Sequence, residues 1–108
     1  MSEIVLHDSN SNVDYRLTFT RDSVRKLESM GFNLEEVGTK PMTMIPLLIR
    51  GAFLANHPSV SAKVVESLYD EMSGKESFMG ALVEMYSNTL NSLLENNKKG
   101  KVKWERVG

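Results

Sequence analysis

The chain has two histidines, His7 and His57, and no cysteine. Zinc chemistry on histidine needs carboxylates converging with the rings. Without cysteine there is no disulfide, no thiolate metal site and no thiol nucleophile. His57 stands in Asn56-His57-Pro58, a helix-ending pattern where a cationic ring suits the dipole and donates to open carbonyls. Serines are plentiful, yet none lies in a nucleophile elbow, and a triad also needs a base nearby. Ser59, Ser61 and Ser73 read instead as caps and turn residues. Met72-Ser73-Gly74-Lys75-Glu76 contains Gly-Lys, but the upstream glycine spacing of a phosphate loop is missing and Glu replaces the required Ser or Thr. Glu35-Glu36 and Asp70-Glu71 are adjacent pairs, and adjacent helix positions point in different directions, so neither forms a shared acid/base site. These residues predict no enzyme, no metal and no cofactor, and point to a protein that works by binding.

Two features suit binding. The seven methionines include Met42, Met44, Met72, Met79 and Met85; most read as core filler, and any left exposed offers an adaptable contact surface. The second is charge. Residues 1 to 97 carry 8 Lys and Arg against 13 Asp and Glu, a net −5, whereas residues 98 to 108 carry 5 against 1, a net +4. An acidic body thus ends in a basic tail, with Lys98, Lys99, Lys101, Lys103, Trp104 and Arg106 as candidate partner-binding residues. Three readings of that tail stand side by side. It is a solvated end; or a third strand, since Val102 and Trp104 alternate with Lys101, Lys103 and Glu105; or a docking segment whose lysines attract an acidic partner and whose Trp104 anchors it. Nucleic acid could use the same charges, with Trp104 stacking on a base, although no nucleic-acid-binding motif accompanies them.

The elements that must position these groups follow from periodicity. Glu3–His7 and Val13–Phe19 read as strands, the second alternating Val13, Tyr15, Leu17 and Phe19 with polar residues. The turn-formers Asp8-Ser9-Asn10-Ser11-Asn12 join them into a hairpin. A lone hairpin is marginal in water, so helices must cover its apolar face, and its exposed edge invites homo-oligomerisation. A first helix follows Thr20 as cap, with Phe19 and Val24 as staple, Val24, Leu27 and Met30 inward, and Gly31-Phe32 as a Schellman ending. Asn33-Leu34-Glu35-Glu36 predicts one further turn. A second helix, capped by Thr43 with Pro46 in its first turn, is apolar nearly all round and therefore central. Gly51 inside it costs about 1 kcal/mol against alanine, which predicts a close neighbour. A third helix starts at Ser61 with Val64, Val65, Leu68 and Met72 inward, and Gly74 closes it. The fourth spans Glu76–Glu95 with Phe78, Leu82, Met85, Leu90 and Leu93 inward, and Asn96-Asn97 open the tail.

Strands first and helices after give an α+β class: an N-terminal β-hairpin, with the C-terminal segment as an optional third strand, packed on a bundle of about four helices. The 108 residues, 41% hydrophobic and 25% charged, fit a single domain over residues 1–97 followed by the basic tail, 98–108. No apolar run approaches the roughly 18 residues of a membrane span, and the first residues lack a signal peptide's basic and apolar segments, so a cytoplasmic protein is expected.

The segments Tyr15–Glu28 (YRLTFTRDSVRKLE), Gly31-Phe32-Asn33-Leu34, Leu47–Phe53 (LLIRGAF) and His57-Pro58 run through the pattern in order. Over roughly residues 3 to 95 the chain resembles the small tail assembly chaperones of long-tailed bacteriophages and prophages, particularly a subgroup from Gram-positive hosts. The resemblance implies a non-catalytic assembly factor that holds the tape measure protein, tail tube subunits, or both, and leaves before the virion is complete. A long amphipathic tape measure helix has apolar faces that aggregate unless a small helical domain masks them. The alternative is a nucleic-acid-binding accessory protein acting through the tail.

Overall fold

The computed structural model describes residues 3–95 and 99–108. Strands β1 (Ile4–Asp8) and β2 (Val13–Leu17) form an antiparallel hairpin with Ile4 opposite Leu17, Leu6 opposite Tyr15 and Asp8 opposite Val13. The turn is held by Asp8, whose carboxylate accepts from the Asn10 amide at 3.1 Å and from the Ser11 hydroxyl at 2.7 Å. Asn12 closes it at φ 57°, the left-handed conformation that asparagine tolerates. Ile4, Leu6, Tyr15 and Leu17 face the helices, while Val5, His7, Asp14 and Arg16 face solvent. Val13 shares the inner face but lies exposed at the hairpin tip.

Four helices follow: α1 (Arg21–Ser29), α2 (Pro41–Leu54), α3 (Ala62–Asp70) and α4 (Lys75–Asn91). Short 3-10 turns at Leu34–Glu36 and Ser92–Leu94 complete the order. The molecule is α+β, a hairpin packed on four helices. Thr20 caps α1 through a reciprocal box: the Ser23 amide donates to Thr20 Oγ1 at 3.1 Å, and the Thr20 amide donates to Ser23 Oγ at 2.9 Å. At its other end the Phe32 amide donates to the Leu27 carbonyl and the Gly31 amide to that of Glu28, at 3.0 and 3.1 Å. With Gly31 at φ 93° this is the expected Schellman ending. Met30, expected inward, is exposed because it is the cap residue and has left the helical face.

Helix α2 starts two residues before the expected Thr43 cap. Lys40 is its cap and Pro41 its first residue, where a fixed φ and a missing amide hydrogen both suit the helix. Pro46 consequently lies inside the helix and leaves the Met42 carbonyl without its intrahelical donor; Met42 is at the wet end of the helix, 89% exposed. From there α2 runs through the middle of the molecule, meeting β2, α1, α3 and α4. Its Leu48, Ile49, Gly51, Ala52 and Phe53 are buried, as its all-round apolarity requires.

Ser61 caps α3 by accepting from the Val64 amide at 3.3 Å. That helix leans on α2 through one row of side chains, so Val65 is buried while Val64, expected inward, is exposed. Helix α4 begins at a left-handed Gly74 and buries Leu82, Met85 and Tyr86, with Phe19 and Phe32 edge-on to Tyr86 at 5.4 and 5.1 Å. The expected span to Glu95 ends early, at Asn91. The tighter 3-10 turn then rotates Leu93 off the inward face and leaves it exposed.

No third strand joins the hairpin among the described residues, and the far side of β2 is already engaged. The Arg16 amide donates to His57 Nε2 at 3.0 Å, the Arg16 carbonyl accepts from Asn56 Nδ2 at 3.1 Å, and the Thr18 amide donates to the Ala52 carbonyl at 3.1 Å. The end of α2 thus occupies the edge where a further strand would pair. The boundary proposed at Asn96-Asn97, and Lys98 with it, lies outside the described residues.

Candidate functional site: an apolar groove with an acidic rim

The residues with chemical potential are dispersed. His7 Nδ1 meets Asp14 Oδ1 at 2.6 Å on the outer face of the hairpin. His57 is used structurally: its Nε2 accepts from a backbone amide, which requires the neutral ring with its proton on Nδ1. Its ring also stands edge-on to Tyr15 at 5.3 Å and to Phe53 at 6.3 Å. Among the described residues no group of three or more His, Asp or Glu could hold a metal ion. Glu36 pairs with Lys40 at 3.0 Å, and Glu71 accepts from Asn10 Nδ2 at 3.2 Å. Lys75 extends over the Tyr69 ring, 5.4 Å from its centre.

Among the described residues, two of the hollows are large enough to hold part of a partner. One, of about 470 Å³, lies between the start of α1 and the end of α4. Its polar groups largely serve the fold: the Thr89 hydroxyl has the Met85 carbonyl at 3.0 Å and the Phe19 carbonyl at 3.3 Å as acceptors, and Arg21 Nη2 donates to the Ser92 carbonyl at 3.0 Å.

The other, of about 410 Å³, runs between the first half of α2 and α3. Ile49 and Val65, both buried, form its floor, and Ile45, Pro46 and half-buried Tyr69 form its walls. Met42 stands at its lip. Of the methionines singled out from the sequence, Met44 and Met85 are core, Met72 and Met79 are half-buried, and Met42 is the exposed one. Glu66 and Asp70 close the rim from α3. They are four residues apart on one face, and neither is ion-paired among the described residues.

The described residues of the basic segment do not line this groove. Lys99 lies in a turn, and Lys101, Lys103 and Arg106 are exposed. Val102, Trp104 and Val107 are 92%, 87% and 85% exposed. Sequence reasoning identified the tail and missed the groove. The available signal was the spacing Met42-Ile45-Ile49 on one side of α2, beside Val65-Tyr69 and Glu66-Asp70 on α3.

No curated protein and no solved structure matches the chain. A family match does cover residues 1–107, nearly the whole sequence, body and tail together. On that coverage the chain belongs to the family described as Domain of unknown function (DUF5055).

Proposed function

We propose that this protein is a non-catalytic chaperone of bacteriophage tail assembly. It acts in the cytoplasm of a bacterial host, where it covers apolar helical segments of the tape measure protein, and tail tube subunits with them, until they assemble. The observation that carries this reading is the α2–α3 groove. It has an apolar floor, a methionine at the lip and two carboxylates on the rim, which suits one face of an amphipathic helix bearing basic flanks. An occupant of that size makes a small interface, consistent with a client that must be released. The resemblance of residues 3 to 95 to tail assembly chaperones supplies the identity of the client. Co-expression with a tape measure protein tests it: the client's soluble fraction rises and the two co-purify. An insoluble client and no complex would refute the reading.

One observation favours a second reading. Trp104 is almost fully exposed among Lys101, Lys103 and Arg106, an arrangement that serves single-stranded nucleic acid by stacking and charge. Binding that weakens steeply with salt and vanishes on deletion of residues 98–108 would select this alternative.

A further inference from the structure

We infer that the segment Lys101–Val107 of one copy docks in the α2–α3 groove of a second copy, with Trp104 as its anchor. The inference stands on the groove and the tail and not on the identity of the client; a client helix that takes the groove displaces the tail from it.

Charge and shape agree. The groove belongs to a body of net −5, the segment to a tail of net +4. The rim carboxylates Glu66 and Asp70 lie beside an apolar floor, and the segment carries Val102 and Trp104 between Lys101, Lys103 and Arg106. In an extended chain Val102 and Trp104 point to the same side, toward Ile45, Ile49 and Val65. The long lysine stems then lie along the walls and bring their ammonium groups to the rim. An exposed tryptophan with Val102 and Val107 nearby in the chain is a large apolar surface left in water. Aromatic anchors seated in desolvated pockets, inside a charged rim, are the usual energetic centre of an interface.

The occupant is a second copy because the chain's own tail lies off the groove: Val102, Trp104 and Val107 are exposed, and no described tail residue lines it. Tyr69 lies beside Phe78 at 6.3 Å and beneath Lys75, which places the groove at the start of α4. Ser92, held by Arg21, marks the other end of that helix. Seventeen residues of α4 separate these ends by about 25 Å, and the tail departs from the far one. Two copies exchanging tails fill both grooves, and that reciprocity closes the assembly as a dimer.

Trp104 is the sole tryptophan of the chain, so the full-length protein reports on itself. Across a dilution series, sedimentation velocity shows dimer giving way to monomer while Trp104 emission moves from that of a buried to that of an exposed indole. Trp104→Ala, followed by sedimentation, weakens association about thirtyfold. The pair Glu66→Lys and Asp70→Lys, both on the surface, weakens it about tenfold. Mixing that double variant with a Lys101→Glu, Lys103→Glu chain restores association that neither shows alone. A monomer with exposed-indole emission at every concentration overturns the inference. So does a buried Trp104 in a chain that sediments as a monomer, which would place the tail on its own chain. Dimerisation indifferent to both the rim and the tail variants overturns it in favour of another surface, such as the open edge of β1.

Discussion

Gly51 on α2 lies so close to Leu27 on α1 that a Cβ built at Gly51 would meet Leu27 Cδ1 and stand 2.7 Å from both Cδ2 and Cγ. Leu27 is fully buried, so its side chain has no solvent to swing into. Two effects oppose each other in Gly51→Ala. Helix propensity favours alanine by about 1 kcal/mol, while overpacking a tight core costs about 1–3 kcal/mol. With three carbons of a sealed leucine in the way, overpacking wins, and thermal unfolding of Gly51→Ala should show net destabilisation. Adding Leu27→Ala should cost less in the Gly51→Ala background than in the parent, the signature of a shared contact in a double-mutant cycle.

Gly80 makes the contrast. It sits in the interior of α4, exposed, and a Cβ there would meet nothing within 4 Å. Propensity acts alone, so Gly80→Ala should stabilise by about 0.5–1 kcal/mol in denaturant titration. A loss of stability would mean that an unrecognised partner covers this face of α4.

Much of this was legible in the sequence, because caps and stripes are local. Thr20, Asn33 and Ser61 cap where their side chains allow, Gly31-Phe32 ends α1, and the apolarity of α2 places it centrally. Gly51 could be read as a close approach, although not which residue approaches. What escaped needed tertiary knowledge. The start of α2 moved because Pro41 suits a first position better than Pro46 suits a third, a competition between two acceptable choices. Val64 and Val65 are equivalent by type, and only the angle at which α3 meets α2 decides which is covered. A third strand is barred from the β2 edge because Asn56 and His57, forty residues from Arg16, fill it. The groove escaped because its walls are contributed by two helices whose leftover faces look ordinary alone.

That edge makes a separate test. His57→Ala removes the acceptor of the Arg16 amide and the ring contacts with Tyr15 and Phe53. His57→Phe keeps an aromatic ring but cannot accept. A lost neutral hydrogen bond costs about 1 kcal/mol, so His57→Phe should lose roughly that much and His57→Ala more. Amide exchange locates the effect. Arg16 should exchange faster in both variants, while Thr18, bonded to the Ala52 carbonyl, should lose less protection. Equal changes at both amides would show that the hairpin detaches as a unit instead.

Tyr86 gives the fold a pH dependence at the alkaline end. Burial, and after it the carboxylate of Glu28, holds its phenol above the ordinary value of 10.0. The unfolded chain therefore releases this proton first, and above that pH the unfolded state binds fewer protons than the native one. The stability linked to Tyr86 is intact below the unfolded value and is lost as pH rises through the native one. Tyr86→Phe keeps the edge contacts with Phe19 and Phe32 and removes the titrating group. Stability measured against pH should fall more steeply in the parent than in Tyr86→Phe over the alkaline range; parallel curves would contradict this account.

Binding in the groove can be separated from folding at Met42. Its side chain is 89% exposed at the groove lip, so Met42→Glu disturbs no packed neighbour and should change stability by no more than about 0.5 kcal/mol. The same change adds a third carboxylate beside Glu66 and Asp70 and removes the adaptable thioether. Any apolar segment seated there would have to desolvate the new charge. Co-expressed with a tape measure protein, Met42→Glu should fold as the parent does and leave the client insoluble. The pair Glu66→Gln and Asp70→Gln should retain part of the rescue, since the apolar floor supplies most of the contact and the rim mainly steers. If Met42→Glu rescues the client fully, the client engages some other face, and the groove must be given up as the chaperone site.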